Sequence, residues 1–276
     1  MEKPTIVLIP GAWHKASIYT PVSKILHTHA YPTILLDLPS VGANPPHTSF
    51  THDVSAIRDC LTSLISQNKD IVLVAWSYGG FPAGEAPKGL SKKERQAQGL
   101  QGGVIRFVVI NGVAMPAGYQ PHKIGDYASM PEWIEKDIPV RPPDVLEALI
   151  RYYLTVWLQN NIGIILPSTA KEVFYQDMPA SLAETLSLQL HPQSLGVFFS
   201  TSTYAAFEDI PSTYISSGQD KTPFGQLNNV MLEYCRQVVP RSFDVVEHNE
   251  EAGHAVMASQ PEWTANALRR AAGEKF

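Results

Sequence analysis

Short apolar runs alternate with longer amphipathic stretches along this chain, and this pattern predicts its main elements. Nearly continuous apolar runs predict buried strands at residues 5–9, 33–37, 71–75, 104–110, 213–217 and 243–247. Helical stretches are predicted near residues 18–29, 51–67 and 80–101. Strands that alternate with helices are typical of right-handed crossovers, so we expect an α/β fold with a mostly parallel, doubly wound sheet.

The helix predicted after the third strand is interrupted within its own sequence. Pro82 suits the first turn of a helix, whereas Pro87 falls where a helix interior would lose a hydrogen bond. Ser91 followed three residues later by Glu94 is a capping box, which marks a new helix start. We therefore expect two short helices between the third and fourth strands.

Residues 112–207 depart from the strand–helix rhythm and are rich in aromatic residues and proline. Apolar side chains recur there at helical spacing, at Leu146, Leu149, Ile150, Tyr153, Leu154 and Trp157. Because the strand pattern resumes at residue 213, we predict a helical cap inserted between two strands of one sheet. The predicted division is a core of residues 1–111 and 208–276 with a cap of residues 112–207.

Composition and charge exclude several classes of protein. The 276 residues carry 21 basic and 26 acidic side chains, a net charge of −5, and no basic run that would indicate a nucleic-acid partner. Cys60 and Cys235 are too few for a disulfide scaffold and lack metal-ligand spacing, which favours reduced, buried thiols. No targeting segment and no run of 18 apolar residues is visible, so the sequence predicts a cytoplasmic protein with no membrane partner.

The strongest chemical signal is a serine placed directly between a strand and a helix. The sequence Ala75-Trp-Ser77-Tyr-Gly79 follows a buried apolar run and precedes a helical stretch, which is the context of a nucleophile elbow. Small residues two before and two after the serine let the backbone make the tight turn, and here the first of them is Ala75 rather than glycine. We predict Ser77 as a nucleophile at a helix N-terminus; the alternative is a serine that only caps the helix.

A nucleophilic serine needs a base and an orienting acid, and both are expected after later strands. Asp220 follows the predicted strand at 213–217 and is the candidate acid. Its rivals Asp209 and Asp244 lie before or inside strands, and a solvent-facing turn residue remains the alternative.

His254 follows the last predicted strand and is the candidate base. Its rivals are His248, nearer the strand, and His14, in the first loop. A structural histidine is the alternative assignment.

The loop after the first strand, residues 10–14, is expected to complete an oxyanion hole. Gly11 lets the backbone turn, and the candidate donors are the backbone N–H groups of Ala12 and Tyr78. Trp13 and His14 are candidate substrate-binding residues at the entrance of the site. The alternative is a turn that only packs beneath the cap.

With Ser77, Asp220 and His254 in this order, the chain resembles the α/β-hydrolase superfamily. It is most similar to the compact branch with plant methylesterases, hydroxynitrile lyases, pyrethroid-type carboxylesterases and fungal esterase-like hydrolases. Further similarity to the fungal members lies in residues 89–95, 102–104, 174–179 and 190–194. The resemblance implies catalysis with no cofactor and no metal, in a pocket between cap and sheet.

The chain also departs from that family at informative positions. Pro10 stands where most relatives have histidine, so one side-chain contact of the loop is lost. Hydroxynitrile lyases carry lysine directly after the catalytic histidine, and Ala255 at this position argues against cyanohydrin cleavage. A serine nucleophile also disfavours dehalogenases and epoxide hydrolases, which use aspartate, and dienelactone hydrolases, which use cysteine.

These features predict a serine hydrolase that cleaves a carboxylic ester or lactone through an acyl-enzyme. The aromatic cap indicates a small to medium apolar substrate, with Trp157 as a further candidate contact. Two alternatives stay open: a biosynthetic enzyme catalysing transacylation, cyclisation, isomerisation or C–C cleavage, and a non-catalytic binding protein. The oligomeric state is also open, a homodimer included.

Overall fold

The computed structural model describes residues 2–137 and 161–276, and its main feature is a six-stranded sheet. All neighbouring strands pair in parallel, in the order β2-β1-β3-β4-β8-β9. The strands are β1 (Thr5–Ile9), β2 (Thr33–Leu35), β3 (Asp70–Trp76), β4 (Gly103–Ile110), β8 (Ser212–Ser217) and β9 (Val245–Asn249). The predicted α/β fold with a mostly parallel sheet is confirmed.

Two strand bounds differ from the prediction, each for a local reason. β2 ends at Leu35 because it is a half-buried edge strand that pairs over only three residues of β1. β9 begins at Val245 rather than at residue 243, since Phe243 has a φ of 50°. A residue in that left-handed region cannot continue an extended strand. The prediction that this strand is buried was wrong, because β9 lies at the edge of the sheet and its Val245 and Val246 are exposed.

Helices connect the strands and surround the sheet. Their bounds are Thr20–Thr28, Thr51–Ser66, Gly80–Glu85, Lys92–Ala97, Pro167–Val173, Ala180–Ser187, Pro223–Val238, Val256–Ser259 and Pro261–Ala271. The predicted break after β3 is present, because one helix ends at Glu85 and the next begins at Lys92. The Ser91 hydroxyl accepts a hydrogen bond from the Glu94 N–H at 3.2 Å, as the capping box predicted.

The core lies along the central strands. β1 and most of β3 and β4 consist of buried apolar residues, as is typical of parallel strands covered on both faces. This rigid centre fixes the carboxyl ends of β1, β3, β4, β8 and β9 at one edge of the sheet. Ligand sites of open α/β sheets form outside that edge.

The chain between β4 and β8 contains more than the predicted helices. Its described residues include a small antiparallel sheet of β5 (Glu135–Asp137), β6 (Ile162–Ile164) and β7 (Gln193–Ser194). Strands of two or three residues are too short to show a two-residue periodicity, which is why the sequence did not indicate them. The helical pattern at residues 146–157 lies outside the described residues, and the core and cap boundaries stay a prediction. No helix in residues 2–137 or 161–276 has the length and apolarity to cross a bilayer.

Candidate active site

Ser77 occupies a strained turn at the carboxyl end of β3. Its φ is 55°, in the left-handed region, and it opens a 3-10 turn, Ser77–Gly79, that leads into the helix Gly80–Glu85. Strain of this kind at a non-glycine residue persists only where the surrounding structure enforces it. The predicted elbow geometry is therefore present, with Ser77 held at the end of a buried strand.

Glycines allow the backbone segments around Ser77 to approach closely. A Cβ added at Gly112 would lie 2.6 Å from the Ser77 carbonyl oxygen, and one at Gly11 would lie 2.9 Å from the Ser77 Cβ. A Cβ at Gly79 would overlap the Pro10 carbonyl oxygen. These contacts pack the first loop, the elbow and the chain after β4 against one another.

We expect Gly79→Ala to lower the free energy of unfolding by about 1–3 kcal/mol, because a methyl group there forces the elbow away from Pro10. Gly84→Ala is the matched control, since apart from its chain neighbours and the backbone of its own helix, Gly80–Glu85, no heavy atom lies within 4 Å of its added Cβ. That control should raise the free energy of unfolding by about 0.5–1 kcal/mol, as alanine does in helices. Urea unfolding measures both, and equal effects of the two changes would contradict the crowding at Gly79.

His254 and Asp220 form a buried pair. The His254 Nδ1–H donates to Asp220 Oδ2 at 2.9 Å, and the two side chains are 2% and 0% exposed. The other carboxylate oxygen of Asp220 accepts from the Thr222 N–H at 2.8 Å, which fixes its orientation. With Nδ1 engaged as donor, the Nε2 of a neutral His254 is an acceptor.

Ser77 and His254 line the same cavity. No hydrogen bond joins their side chains in the described part of the chain. Hydrogen bonds between a nucleophile and its base often shorten only in the complex with substrate.

The rival acids and bases are engaged elsewhere. Asp244 pairs with Arg106 at 2.9 Å, and Asp209 is exposed ahead of β8. His248 contacts Glu250 at 2.9 Å within the exposed end of β9. The structure therefore brings together the predicted set of Ser77, Asp220 and His254 rather than any of these alternatives.

Two side chains that the sequence analysis missed hold the backbone at His254. The Trp76 indole N–H donates to the His254 carbonyl at 2.9 Å, and the Asn111 amide donates to the same oxygen at 3.0 Å. Trp76 directly precedes the serine, and Asn111 directly follows β4. The sequence could have indicated Asn111, because it is a polar residue at the carboxyl end of a predicted parallel strand.

The two candidate oxyanion donors lie beside Ser77. Ala12 and Tyr78 line the cavity, and their backbone N–H groups have no protein acceptor among the described residues. Free, fixed N–H groups are what an oxyanion hole requires. The arrangement supports the predicted donors on both sides of the serine.

A buried hydrogen-bond network connects those two donor segments. The Tyr78 hydroxyl donates to Asp53 Oδ2 at 2.6 Å, and the Ser40 hydroxyl donates to the same oxygen at 2.6 Å. The Gln193 amide donates to Ser40 Oγ at 2.9 Å and accepts from the Trp13 N–H at 3.3 Å. Burial raises the pKa of Asp53 above its usual range. The network therefore connects Tyr78, which follows Ser77, to Trp13, which follows Ala12.

The predicted substrate contacts fall in different places. Trp13 lines the cavity, whereas His14 faces a separate small depression beside it. Trp157 lies outside the described residues. His14 instead donates through Nδ1 to the Ala12 carbonyl at 2.7 Å, and its Nε2 accepts from the Tyr175 hydroxyl at 2.5 Å. His14 therefore supports the loop of residues 10–14, the oxyanion loop, from the side away from the cavity.

Burial lowers the pKa of His14 from 6.5 to about 3, so the ring stays neutral in the folded protein. In the unfolded chain the ring binds a proton below about pH 6.5, so this group costs stability as the pH falls from there towards 3. We expect the free energy of unfolding of His14→Gln to depend less steeply on pH over that range. Urea unfolding at a series of pH values measures the slopes, with exposed His27→Gln as the control. Equal slopes for His14→Gln and wild type would contradict the assigned neutral state.

The cavity above Ser77 has a volume of about 320 Å³ and is mainly apolar. Among the described residues, no Asp, Glu, Lys or Arg lines it. Its aromatic lining comprises Trp13, Tyr78, Phe81, Tyr119, Trp133, Phe174, Phe198 and Phe224. Such a cavity favours a neutral, largely apolar ligand.

The sheet order, the serine elbow and the buried Asp–His pair together define an α/β hydrolase. A sequence model of the alpha/beta hydrolase family matches residues 6–267, and the chain belongs to this family.

The chain is also similar to three known proteins, one in sequence and two in fold. The alpha/beta hydrolase nvfD of Aspergillus novofumigatus is 29% identical over 274 residues, covering 99% of this chain and 98% of its own length. The methylesterase MES16 from Arabidopsis shares the fold at 17% identity, with a TM-score of 0.65 and coverage of 98% of this chain and 99% of its own. A pyrethroid hydrolase from Sphingobium faniae does so at 20% identity, with a TM-score of 0.63 and coverage of 98% and 97%. The predicted resemblance is confirmed.

Proposed function

We propose that the protein is a serine hydrolase that cleaves carboxylic esters or lactones through an acyl-enzyme. The observation that carries this proposal is the buried His254–Asp220 pair at the wall of the cavity that also holds the strained Ser77. Nucleophile, base and orienting acid are the three side chains that acyl transfer requires. Membership of a hydrolase family supports the same reaction class.

Each step of the reaction has a residue to perform it. Ser77 Oγ attacks the ester carbonyl carbon while His254 Nε2 takes the hydroxyl proton, and Asp220 holds the ring in the required tautomer. The backbone N–H groups of Ala12 and Tyr78 stabilise the oxyanion. His254 then gives its proton to the leaving alkoxide, and the C–O bond to the alcohol breaks. His254 then takes a proton from water as the water oxygen attacks the acyl carbon, and it gives this proton to Ser77 Oγ as the acyl C–O bond breaks and the acid is released.

The substrate class follows from the cavity. A volume of about 320 Å³ with an aromatic lining accommodates an acyl or alcohol part of small to medium size. A charged substrate would lose its hydration without gaining a charged partner from the described lining, which disfavours free acids and amines as substrates. We therefore expect neutral esters with aromatic or aliphatic groups.

Labelling and turnover of the purified protein test the proposal. A fluorophosphonate probe should lose fluoride and form a phosphonate ester on Ser77, located by mass spectrometry of the peptides. The same preparation should release p-nitrophenolate from p-nitrophenyl acetate and butyrate. Labelling at another serine, or neither labelling nor turnover, would overturn the proposal. Labelling of Ser77 without turnover of any ester would also overturn it, in favour of the biosynthetic alternative.

A further inference from the structure

One short segment of the chain between β4 and β8 contacts all three loops of the candidate site. This segment, residues 174–177, is defined here as the cap segment and has the sequence Phe-Tyr-Gln-Asp. Phe174 lines the cavity, and its ring centroid lies 5.5 Å from that of His254. Tyr175 donates to His14 in the oxyanion loop. The last two residues of the segment reach the loops of the acid and the base.

Asp177 binds the residue directly before the candidate base. Its Oδ2 accepts a hydrogen bond from the Gly253 N–H at 2.6 Å. Trp76 and Asn111 hold the His254 carbonyl from the side of the core. The core therefore holds the carbonyl group of His254, and the cap segment holds the N–H group of the residue before it. The backbone is fixed on both sides of the histidine.

Gln176 binds the residue directly before the candidate acid. Its side-chain amide donates to the Gln219 carbonyl. Gln219 in turn donates its backbone N–H to the Ala252 carbonyl at 2.9 Å, which links the acid loop to the base loop. The cap segment thus bridges the two loops whose relative position sets the Asp220–His254 hydrogen bond.

The contact between Asp177 and the base loop is tight and depends on glycine. A Cβ added at Gly253 would lie 2.6 Å from Asp177 Oδ1 and 2.8 Å from Gln176 Nε2. Within the described residues, Asp177 Oδ1 and Gln176 Oε1 are buried without hydrogen-bond partners. In each of these two side chains, one polar atom has no hydrogen-bond partner while the other polar atom binds the loop of the candidate acid or base. Buried polar atoms without a partner are rare and call for an explanation.

We propose that Asp177 is a positioning residue for the general base: through the Gly253 N–H it sets the place of His254, so that hydrolysis depends on docking of the cap segment. This inference rests on the proposed function and deepens it. Asp177 touches neither substrate nor reacting atoms, and its effect is transmitted through one backbone N–H group. A displacement of about 1 Å at a reacting group costs on the order of 100-fold in rate, which makes such a contact consequential.

Three variants at and near this contact test the inference with a p-nitrophenyl ester. We expect Asp177→Ala to lower kcat by about 10- to 100-fold with KM within threefold of wild type, because Asp177 itself does not line the cavity. Asp177→Asn keeps an oxygen acceptor for the Gly253 N–H and should restore kcat to within about threefold of wild type, as a hydrogen-bond acceptor rather than a charge is required. Glu172→Ala, at an exposed position of the neighbouring helix Pro167–Val173, is the control and should change neither constant.

A double-mutant cycle distinguishes a positioning role of Asp177 from a purely structural one. Gly253→Ala forces the base loop and Asp177 apart and should lower kcat as much as Asp177→Ala does. Because both changes break one contact, the double variant should be no slower than the worse single variant. Multiplicative losses would overturn the inference.

Other outcomes separate this inference from the proposed function. An unchanged kcat in Asp177→Ala, or an Asp177→Asn variant as slow as Asp177→Ala, would overturn the positioning role alone if wild type still labels at Ser77. A loss of kcat that matches a loss of folded protein in thermal unfolding would overturn it too. Absence of labelling in wild type would instead overturn the proposed function.

Discussion

We expect Ser77→Ala to lower kcat for p-nitrophenyl esters by about 10⁶-fold, the loss seen when the nucleophile of a serine triad is removed. The oxyanion donors and the cavity remain, so a small rate above that in water survives and KM changes little. Alanine tolerates the left-handed φ of 55° at this position about as well as serine does. Thermal unfolding should therefore show a midpoint close to that of wild type.

The measurement is turnover of p-nitrophenyl butyrate by wild type and Ser77→Ala purified in parallel. Parallel purification controls for a contaminating esterase, which would contribute equally to both. The fluorophosphonate probe gives an independent readout and should label only wild type. Activity of the variant above a hundredth of the wild-type rate would contradict Ser77 as the nucleophile.

Asp220→Asn is expected to have the second largest effect, a fall in kcat of about 10⁴-fold. The amide can still accept from the Thr222 N–H, so the loop keeps its geometry. Its NH₂ group, however, donates to His254 Nδ1 and stabilises the tautomer with the proton on Nε2, which cannot take the serine proton. The loss therefore arises from the protonation state of the ring rather than from misfolding.

Asp244→Asn is the matched control for this prediction. Its side chain is 44% exposed and pairs with Arg106, so loss of its charge should change the free energy of unfolding by about 0–1 kcal/mol and leave kcat unchanged. Turnover and thermal unfolding of both variants are the measurements. If Asp244→Asn were the slower enzyme, the assignment of the acid would have to be exchanged.

The sheet and the three principal side chains of the site could be predicted because their signals are local. Ser77 and Asp220 follow the buried strands β3 and β8, and His254 follows the exposed edge strand β9, whose two valines still indicated a strand. Parallel strands bring their carboxyl ends to one edge, so residues that follow different strands meet there. Chain order and strand pattern were sufficient for this part.

The supporting contacts could not be predicted, because they join residues that are distant along the chain. Trp76 and His254 are 178 positions apart, and Trp13 and Gln193 are 180 apart. No periodicity links such pairs, and Gln193 lies in a two-residue strand that no pattern could reveal. Likewise, the position of His14 in the loop after β1 predicts a residue at the entrance of the site. Only its buried hydrogen bonds to Ala12 and Tyr175 show that its side chain faces away from the cavity.

The place of β9 at the edge of the sheet has a consequence for protein synthesis. During synthesis β1, β3 and β4, and with them the serine turn, leave the ribosome before β8 and β9. His254 follows β9, so the candidate base is made only after every strand of this sheet. Nascent chains that stop before β9 therefore contain Ser77 but lack the candidate base that would activate it.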